Sequence, residues 1–308
     1  MEPRPVARRE VKILGAPMDL GANRRGTDMG PSALRVARLQ SKLEKLGHSV
    51  EDLGNVFSPT VETKVAKHPG LYYLDEIVQV CETIARRVEK VAASGQFPLV
   101  LGGDHSCALG TVGGLVRAGG RVGVVWVDAH TDFNTTETTE TGNIHGMPLA
   151  SLCGIGDPRL VDIAGPGAKL RPDDVSLVGI RDVDREEARL LKKAGVGVWT
   201  MRDIDERGMK RVMAEAIDRA TANADRLHIS LDVDSIDPAH APGVGTAVPG
   251  GLSFREAHLG MELVAESPKF GSMEVVEVNP LLDEKNRTAE LATDLVASAL
   301  GKRILWDS

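Results

Sequence analysis

The sequence predicts an α/β fold built on a mainly parallel sheet with helices on both faces. Three observations carry that expectation. Seven short Val/Ile/Leu-rich runs are nearly continuous in apolar residues, as strands covered on both sides must be. Longer amphipathic segments alternate with them over the whole length. Polar clusters follow several of the runs directly, at the place where the carboxyl ends of parallel strands form a ligand crevice. On the residues alone, an open doubly wound sheet and an eight-fold βα barrel both fit.

Taken in order, the first strand is "VKILGAP" (11–17). The first helix covers 32–46, where "SALRVARLQSKLEKLG" begins after Pro31 and stops at Gly47. A helix over 75–93 leads to the strand "FPLVLGG" (97–103), and "RVGVVWVD" (121–128) is the next strand. "VSLVGIR" (175–181), a helix at 185–194, "VGVWT" (196–200) and a helix at 209–223 follow. "LHISLDVD" (227–234), a helix at 253–266, "GSMEVVEV" (271–278) and a helix at 287–301 complete the series. The longest irregular stretches are 53–70 and 132–148. The second is rich in Thr, Gly and Asn and continues from a polar strand end; long loops in compact domains tend to carry function. No repeat, low-complexity tract or linker divides the chain, so 1–308 reads as a single domain.

The 308 residues suffice for a sizeable core. A net charge of -7, a pI near 5.7 and the lack of a dense Lys/Arg stripe exclude nucleic acid and anionic membrane as expected partners. No window reaches membrane-spanning length, and mean hydropathy is -0.12. "MEPRPVARREVKILGAP" lacks the apolar run of a signal peptide, and Arg8-Arg9 reads as solvated charge ahead of the first strand. The chain reaches "ILWDS" soon after the last helix, so a long C-terminal assembly arm is not expected. Cys81, Cys107 and Cys153 lack ligand-like spacing, which fits a reducing, cytoplasmic setting rather than a disulfide framework.

Three polar clusters sit at strand ends. "LGGDHS" brings His105, "VDAHTDFN" brings Asp128, His130 and Asp132, and "SLDVDSIDP" brings Asp232, Asp234 and Asp237. In an extended chain residues i, i+2 and i+4 share a face, so Asp128, His130 and Asp132 can converge, as can Asp232 and Asp234. Four carboxylates and two imidazoles cannot sit together bare, because like charges at about 4 Å repel by several kcal/mol at an effective dielectric near 20. A pair of divalent cations removes the problem. Carboxylate-dominated sites with some imidazole suit Mn²⁺, so two Mn²⁺ ions are the expected cofactors. Cys107 is expected to be a buried small residue and not a ligand.

"GGDHS", "DAHTDFN", "GNIHGMPLA" and "SLDVDSIDPAHAPGVGTAVPGGLSFRE" resemble the ureohydrolase superfamily, within it the arginase group. The likeness runs from "GAPMDLGANRRGTDMGPSALR" to "MEVVEVNP" and so covers nearly the whole chain. It implies an open three-layer sheet of about eight strands, against the barrel. It implies that one metal takes His105, Asp128, Asp132 and Asp232, the other Asp128, His130, Asp232 and Asp234, with Asp128 and Asp232 bridging. The implied reaction is hydrolysis of the L-arginine guanidinium to L-ornithine and urea by a hydroxide bridging the two ions. Asp132 would accept a proton, His145 would supply one to the departing amine, and Glu277 would hold the guanidinium. Asn134, Thr139 and Thr141 would face the α-carboxylate and Asp184 the α-amine, with Glu187 at a nearby acidic position and Thr246 also at the substrate. Thr141 stands where many arginases carry Ser, and Thr136 where Pro is common. Glu137 and Glu140 are expected to be solvated. A related amidinohydrolase acting on agmatine, guanidinobutyrate or formiminoglutamate is the alternative. The group's members are homo-oligomers, trimers or hexamers, and this chain is expected to be one too.

Overall fold

The computed structural model describes residues 8–65, 68 and 70–303; the segments 1–7 and "ILWDS", on which two of the terminal expectations fall, lie outside the described residues. One sheet of eight strands organises the chain. These are β1 (Glu10–Ala16), β2 (Ser49–Asn55), β3 (Phe97–Gly102), β4 (Val122–Val127), β5 (Val175–Ile180), β6 (Gly197–Thr200), β7 (Arg226–Asp232) and β8 (Phe270–Val276). Every pairing is parallel, and the order is β2-β1-β3-β8-β7-β4-β5-β6. The sheet is open, with β2 and β6 as its edges, so the barrel alternative is excluded.

The strands are apolar on both faces because both faces are covered. Val125 and Val127 of β4 point into one core while Val124 and Trp126 point into the other. The helices are α1 (Gly30–Val36), α2 (Leu39–Lys45), α3 (Leu74–Ala93), α4 (Ala108–Arg117), α5 (Pro148–Leu152) and α6 (Pro158–Val161), then α7 (Arg185–Ala194), α8 (Met201–Arg207), α9 (Met209–Thr221), α10 (Phe254–Ala265) and α11 (Arg287–Ala299). Residues of α1, α2, α9, α10 and α11 pack on the first core, and those of α3, α4 and α5 on the second.

The departures from the sequence reading have local causes. β2, "SVEDLGN", is an exposed edge strand, so it carries no apolar run to announce it. The helix expected over 32–46 is two helices, broken at Arg38, whose φ of 62° is left-handed. The break re-phases the chain so that Leu34 on one side and Leu39 and Leu43 on the other reach the same core. α4, "ALGTVGGLVR", has three glycines, which weaken helix propensity. They serve packing: a Cβ at Gly110 or Gly114 would press on the α3 backbone at Cys81 and Ala85. Arg9 is not simply solvated; its guanidinium lies 5.0 Å over the Phe97 ring.

The order β3-β8-β7-β4 sets side by side the three strands whose ends carry the polar clusters and β8, which leads to Glu277. Their carboxyl ends lead to His105, Glu277, Asp232 and Asp128 respectively. Adjacency in the sheet is what turns clusters far apart in sequence into one site.

Candidate metal centre

His105 opens the short turn after β3, capped by Asp104, whose carboxylate accepts from the Ser106 N–H. Its Nδ1 is the focus of the site. Asp132 Oδ2 lies 2.9 Å away, and Asp128 Oδ2 and Asp232 Oδ2 each lie 3.2 Å away. A second focus is His130 Nδ1, 3.1 Å from Asp234 Oδ2 and 3.5 Å from Asp128 Oδ1. Asp128 thus offers one oxygen to each half. Among the described residues, two groups of donor atoms are close enough to hold an ion: His105, Asp128 and Asp132, and Asp128, His130 and Asp234.

These six side chains fit a pair of divalent cations and fit poorly without them. His105 Nδ1 and Asp132 Oδ2 are buried with no hydrogen-bond partner among the described residues. Burial and the neighbouring carboxylates push Asp232 and Asp234 above the ordinary carboxylate range and lift Asp132 to about 7. Burial also resists charging Asp128, but the His105 and His130 imidazoles hold it low. Both imidazoles are raised by the same carboxylates, against their own burial. Protons stand in for positive charge that cations supply better, since buried charge must be paired.

The donors are held from behind. Trp126 stacks on the His105 ring, centroids 4.0 Å apart, and donates its indole N–H to Asp128 Oδ2 at 2.9 Å. His105 Nε2 meets Ser230 Oγ at 2.7 Å, and Ser230 donates onward to Glu274 at 2.8 Å. With Nε2 so engaged, Nδ1 is left as the lone-pair donor. Trp126, Ser230, Glu274 and Asp104 were not singled out from the sequence; a strand position two before a ligand, on the same face, is the signal that marks Trp126 and Ser230.

Above the centre opens a cavity of about 270 Å³. His105, His130, Asp132, Asp232 and Asp234 form its floor, and Asn134, Thr141, His145, Asp184, Glu187 and Thr246 its walls. Asp128 lies fully buried beneath. His145 Nδ1 donates to Glu277 Oε1 at 2.9 Å, and the same oxygen accepts from the His105 backbone N–H at 2.9 Å. Glu277 Oε2 has no hydrogen-bond partner among the described residues. Burial would lower the His145 imidazole, but the Glu277 carboxylate outweighs it and lifts the pKa to about 9. Asp132 and Glu277 both adopt left-handed backbone, at φ 49° and 64°, strain that clusters at functional positions.

The remaining predicted residues divide. Asn134 donates to Asp184 Oδ2 at 3.0 Å, and Thr246 donates to Asp234 at 2.9 Å. Glu187 is buried and works as a bracket, accepting from Thr131 Oγ1 and from the backbone N–H of Phe133 and Asp184. Thr139 is not among the lining residues; its hydroxyl accepts from the N–H of Thr141 and Gly142 and shapes the loop. Thr136, Glu137 and Glu140 are exposed, and Cys107 is fully buried. Asn23, Asn143 and Asp182, not picked out from the sequence, also line the cavity.

An open α/β sheet with paired carboxylate–imidazole donors above its central strands is the frame of a two-metal hydrolase. The arginase family model matches residues 9–301. An arginase from Brevibacillus brevis is 48% identical over 299 residues, covering 96% of this chain and 99% of that protein. The crystal structure of arginase from Bacillus caldovelox superposes with a TM-score of 0.93 at 45% identity, covering 96% of this chain and all of that one. Arginase from Bacillus subtilis superposes at 0.90, also at 45% identity and with the same coverage. A Bacillus subtilis formimidoylglutamase, at 24% identity and a TM-score of 0.77, shares the fold. The chain belongs to the arginase family.

Proposed function

We propose that this chain is a metal-dependent hydrolase that splits the guanidinium of L-arginine into urea and L-ornithine. The observation that carries the reading is the convergence of three carboxylates on His105 Nδ1 at 2.9–3.2 Å, with Asp128 shared by the His130–Asp234 half. Its match to the arginase family over nearly the whole chain supports the substrate.

Two Mn²⁺ ions, held by His105, Asp128, Asp132 and Asp232 and by Asp128, His130, Asp232 and Asp234, would supply a water-derived nucleophile near neutral pH. The hard, oxygen-rich donor set favours manganese over thiophilic metals. Glu277 Oε2, buried and unpartnered, is the acceptor available to a guanidinium N–H. Asp132 Oδ2 accepts the proton released at the floor of the cavity. His145, kept protonated by Glu277, gives a proton to the departing amine. Asn134 and Thr141 are the wall residues assigned to the α-carboxylate and Asp184 to the α-amine, with Thr139 and Glu187 holding their loops in place.

The same reading takes 1–308 as one catalytic domain working as a homo-oligomer, trimer or hexamer, in the cytoplasm. Three buried free cysteines support a reducing setting, and no helix among the described residues is long and apolar enough to cross a membrane. Light scattering tests the assembly. The deciding experiment is urea release by Mn²⁺-loaded protein, comparing L-arginine with agmatine beside a chelated control. Chelator-sensitive turnover of arginine over agmatine establishes the reading; preference for agmatine keeps the metal chemistry and overturns the loop assignments.

A further inference from the structure

The geometry points to a second ligand site, at the end of the sheet opposite the metal centre, where Arg8, Arg9 and Arg226 bind a small dianionic oxyanion of the phosphate type. The cavity there measures about 550 Å³. Its floor is the amino ends of the central strands: Glu10 starts β1, Phe97 starts β3, Arg226 starts β7 and Gly271 is the second residue of β8. The metal donors follow the carboxyl ends of the same sheet, so the two sites are separated by the length of the strands.

Charge sets the ligand class. Three arginines face the cavity against the single carboxylate of Glu10, an excess of two positive charges on a chain whose net charge is -7. Glu10 does not neutralise them: its Oε2 accepts from Gln96 Nε2 at 3.0 Å. Arg9 Nε and Arg226 Nη1 are both buried without a hydrogen-bond partner among the described residues. A guanidinium cannot shed its proton to escape this, so burying an unpaired N–H leaves a standing demand for an acceptor. For both arginines burial lowers the pKa and no neighbouring carboxylate offsets it. Arginines elsewhere in the molecule are paired, such as Arg121 on Asp174 and Arg35 on Asp52.

The side chains are also held in place. Arg9 lies 5.0 Å over Phe97 and 5.3 Å over Phe270, which occupies the face of the guanidinium, while its Nε–H finds no acceptor among the described residues. Arg226 runs across Gly271, where a Cβ would come within 2.7 Å of Arg226 Cγ. Only glycine leaves that passage. His48 adds no charge there; burial lowers its pKa, and its Nδ1 accepts from the Arg9 backbone N–H at 3.1 Å. Two rigid forks with orphaned donors suit an oxyanion that can take two or more charge-assisted bonds.

The test is calorimetric titration of inorganic phosphate into the metal-loaded protein at mildly alkaline pH, for the wild type, Arg226→Gln, Arg9→Gln and Arg226→Lys. The wild type should show saturable binding, with sulfate competing. Loss of one charge-assisted bond should weaken it at least about tenfold in each Gln variant, with Arg226→Lys intermediate. Arginine turnover should be unchanged in all three variants, since none of these residues touches the metal centre. Arg9 precedes β1 and Arg226 opens β7, so a folding failure in one variant leaves the other as the reading. Absence of saturable binding overturns the site, as does equal binding by wild type and the Gln variants, which would place the phosphate at the metal centre instead.

Discussion

His145 Nδ1 donates to Glu277 Oε1 at 2.9 Å, and that same oxygen accepts the His105 backbone N–H, so one buried carboxylate oxygen ties the loop imidazole to the metal-side turn. The other oxygen is left without a hydrogen-bond partner among the described residues. Replacing His145 by Asn keeps the ligands intact and removes the proton donor. We expect metal content to be unchanged and kcat to fall by ~10²–10⁴. An unchanged kcat would place the proton source elsewhere.

The same pair makes a pH prediction. The folded-state pKa of His145 is raised to about 9 from an ordinary value of 6.5. Its contribution to stability is therefore fully present below pH 6.5 and is lost as pH rises through about 9. The Glu277 side is opposite in sign, since its pKa is lowered against burial by His145 and its contribution is lost on acidification. Glu277→Gln should remove the cause of the His145 shift. The His145 titration, followed by NMR, should then move to lower pH; a titration that stays near 9 would mean Glu277 does not set it.

Asp128 serves both halves, one oxygen toward each imidazole. Asp128→Asn removes the shared charge and should abolish loading of two ions per chain, measured by metal analysis after dialysis. Full occupancy in that variant would overturn the ligand assignment. The Trp126 indole N–H on Asp128 Oδ2 makes a milder test: Trp126→Phe keeps the stack on His105 and loses the hydrogen bond. Metal affinity should drop by about 10–100-fold, as when an outer hydrogen bond to a ligand is removed.

Where the sequence was readable, and where it was not, follows from packing. Buried strands and the six ligand-type residues stood out because apolar continuity and paired carboxylates are local signals. The strand order is not local, and the adjacency of β3, β8, β7 and β4 had to come from the fold or from resemblance. β2 hid because an edge strand needs no apolar face, and α4 hid because its glycines are there for α3 and not for helix formation. In the site, Gly21 carries no chemistry that a motif could flag. Its N–H donates to Asp104 Oδ2 at 2.8 Å and its carbonyl accepts from the His145 N–H at 3.1 Å. The distinction between a wall residue and a bracket, as for Thr141 and Thr139, is set by the turn and cannot be seen in spacing.

Glu187 shows how far a bracket can matter. It is buried, caps the α7 start through the Asp184 N–H, and accepts from Thr131 and the Phe133 N–H on the loop that leads from the ligands to Asn134. Asp184 in turn accepts from Asn134. Glu187→Ala leaves these buried donors unpaired, at roughly 1–3 kcal/mol for each. Both stability and substrate affinity should fall, because Asn134 and Asp184 lose their shared support, while the metal donors, anchored by β3, β4 and β7, stay. The expected result is a lower Tm and a raised KM for arginine with two ions still bound. Asp184→Ala separates the effects: it keeps the Thr131 and Phe133 contacts and gives up the α7 N-cap, at about 1 kcal/mol, so it should raise KM for arginine more than for 5-guanidinopentanoate, which lacks the α-amine, with a smaller loss of Tm than Glu187→Ala. Equal damage to both substrates would show that Asp184 supports the loop and does not read the α-amine.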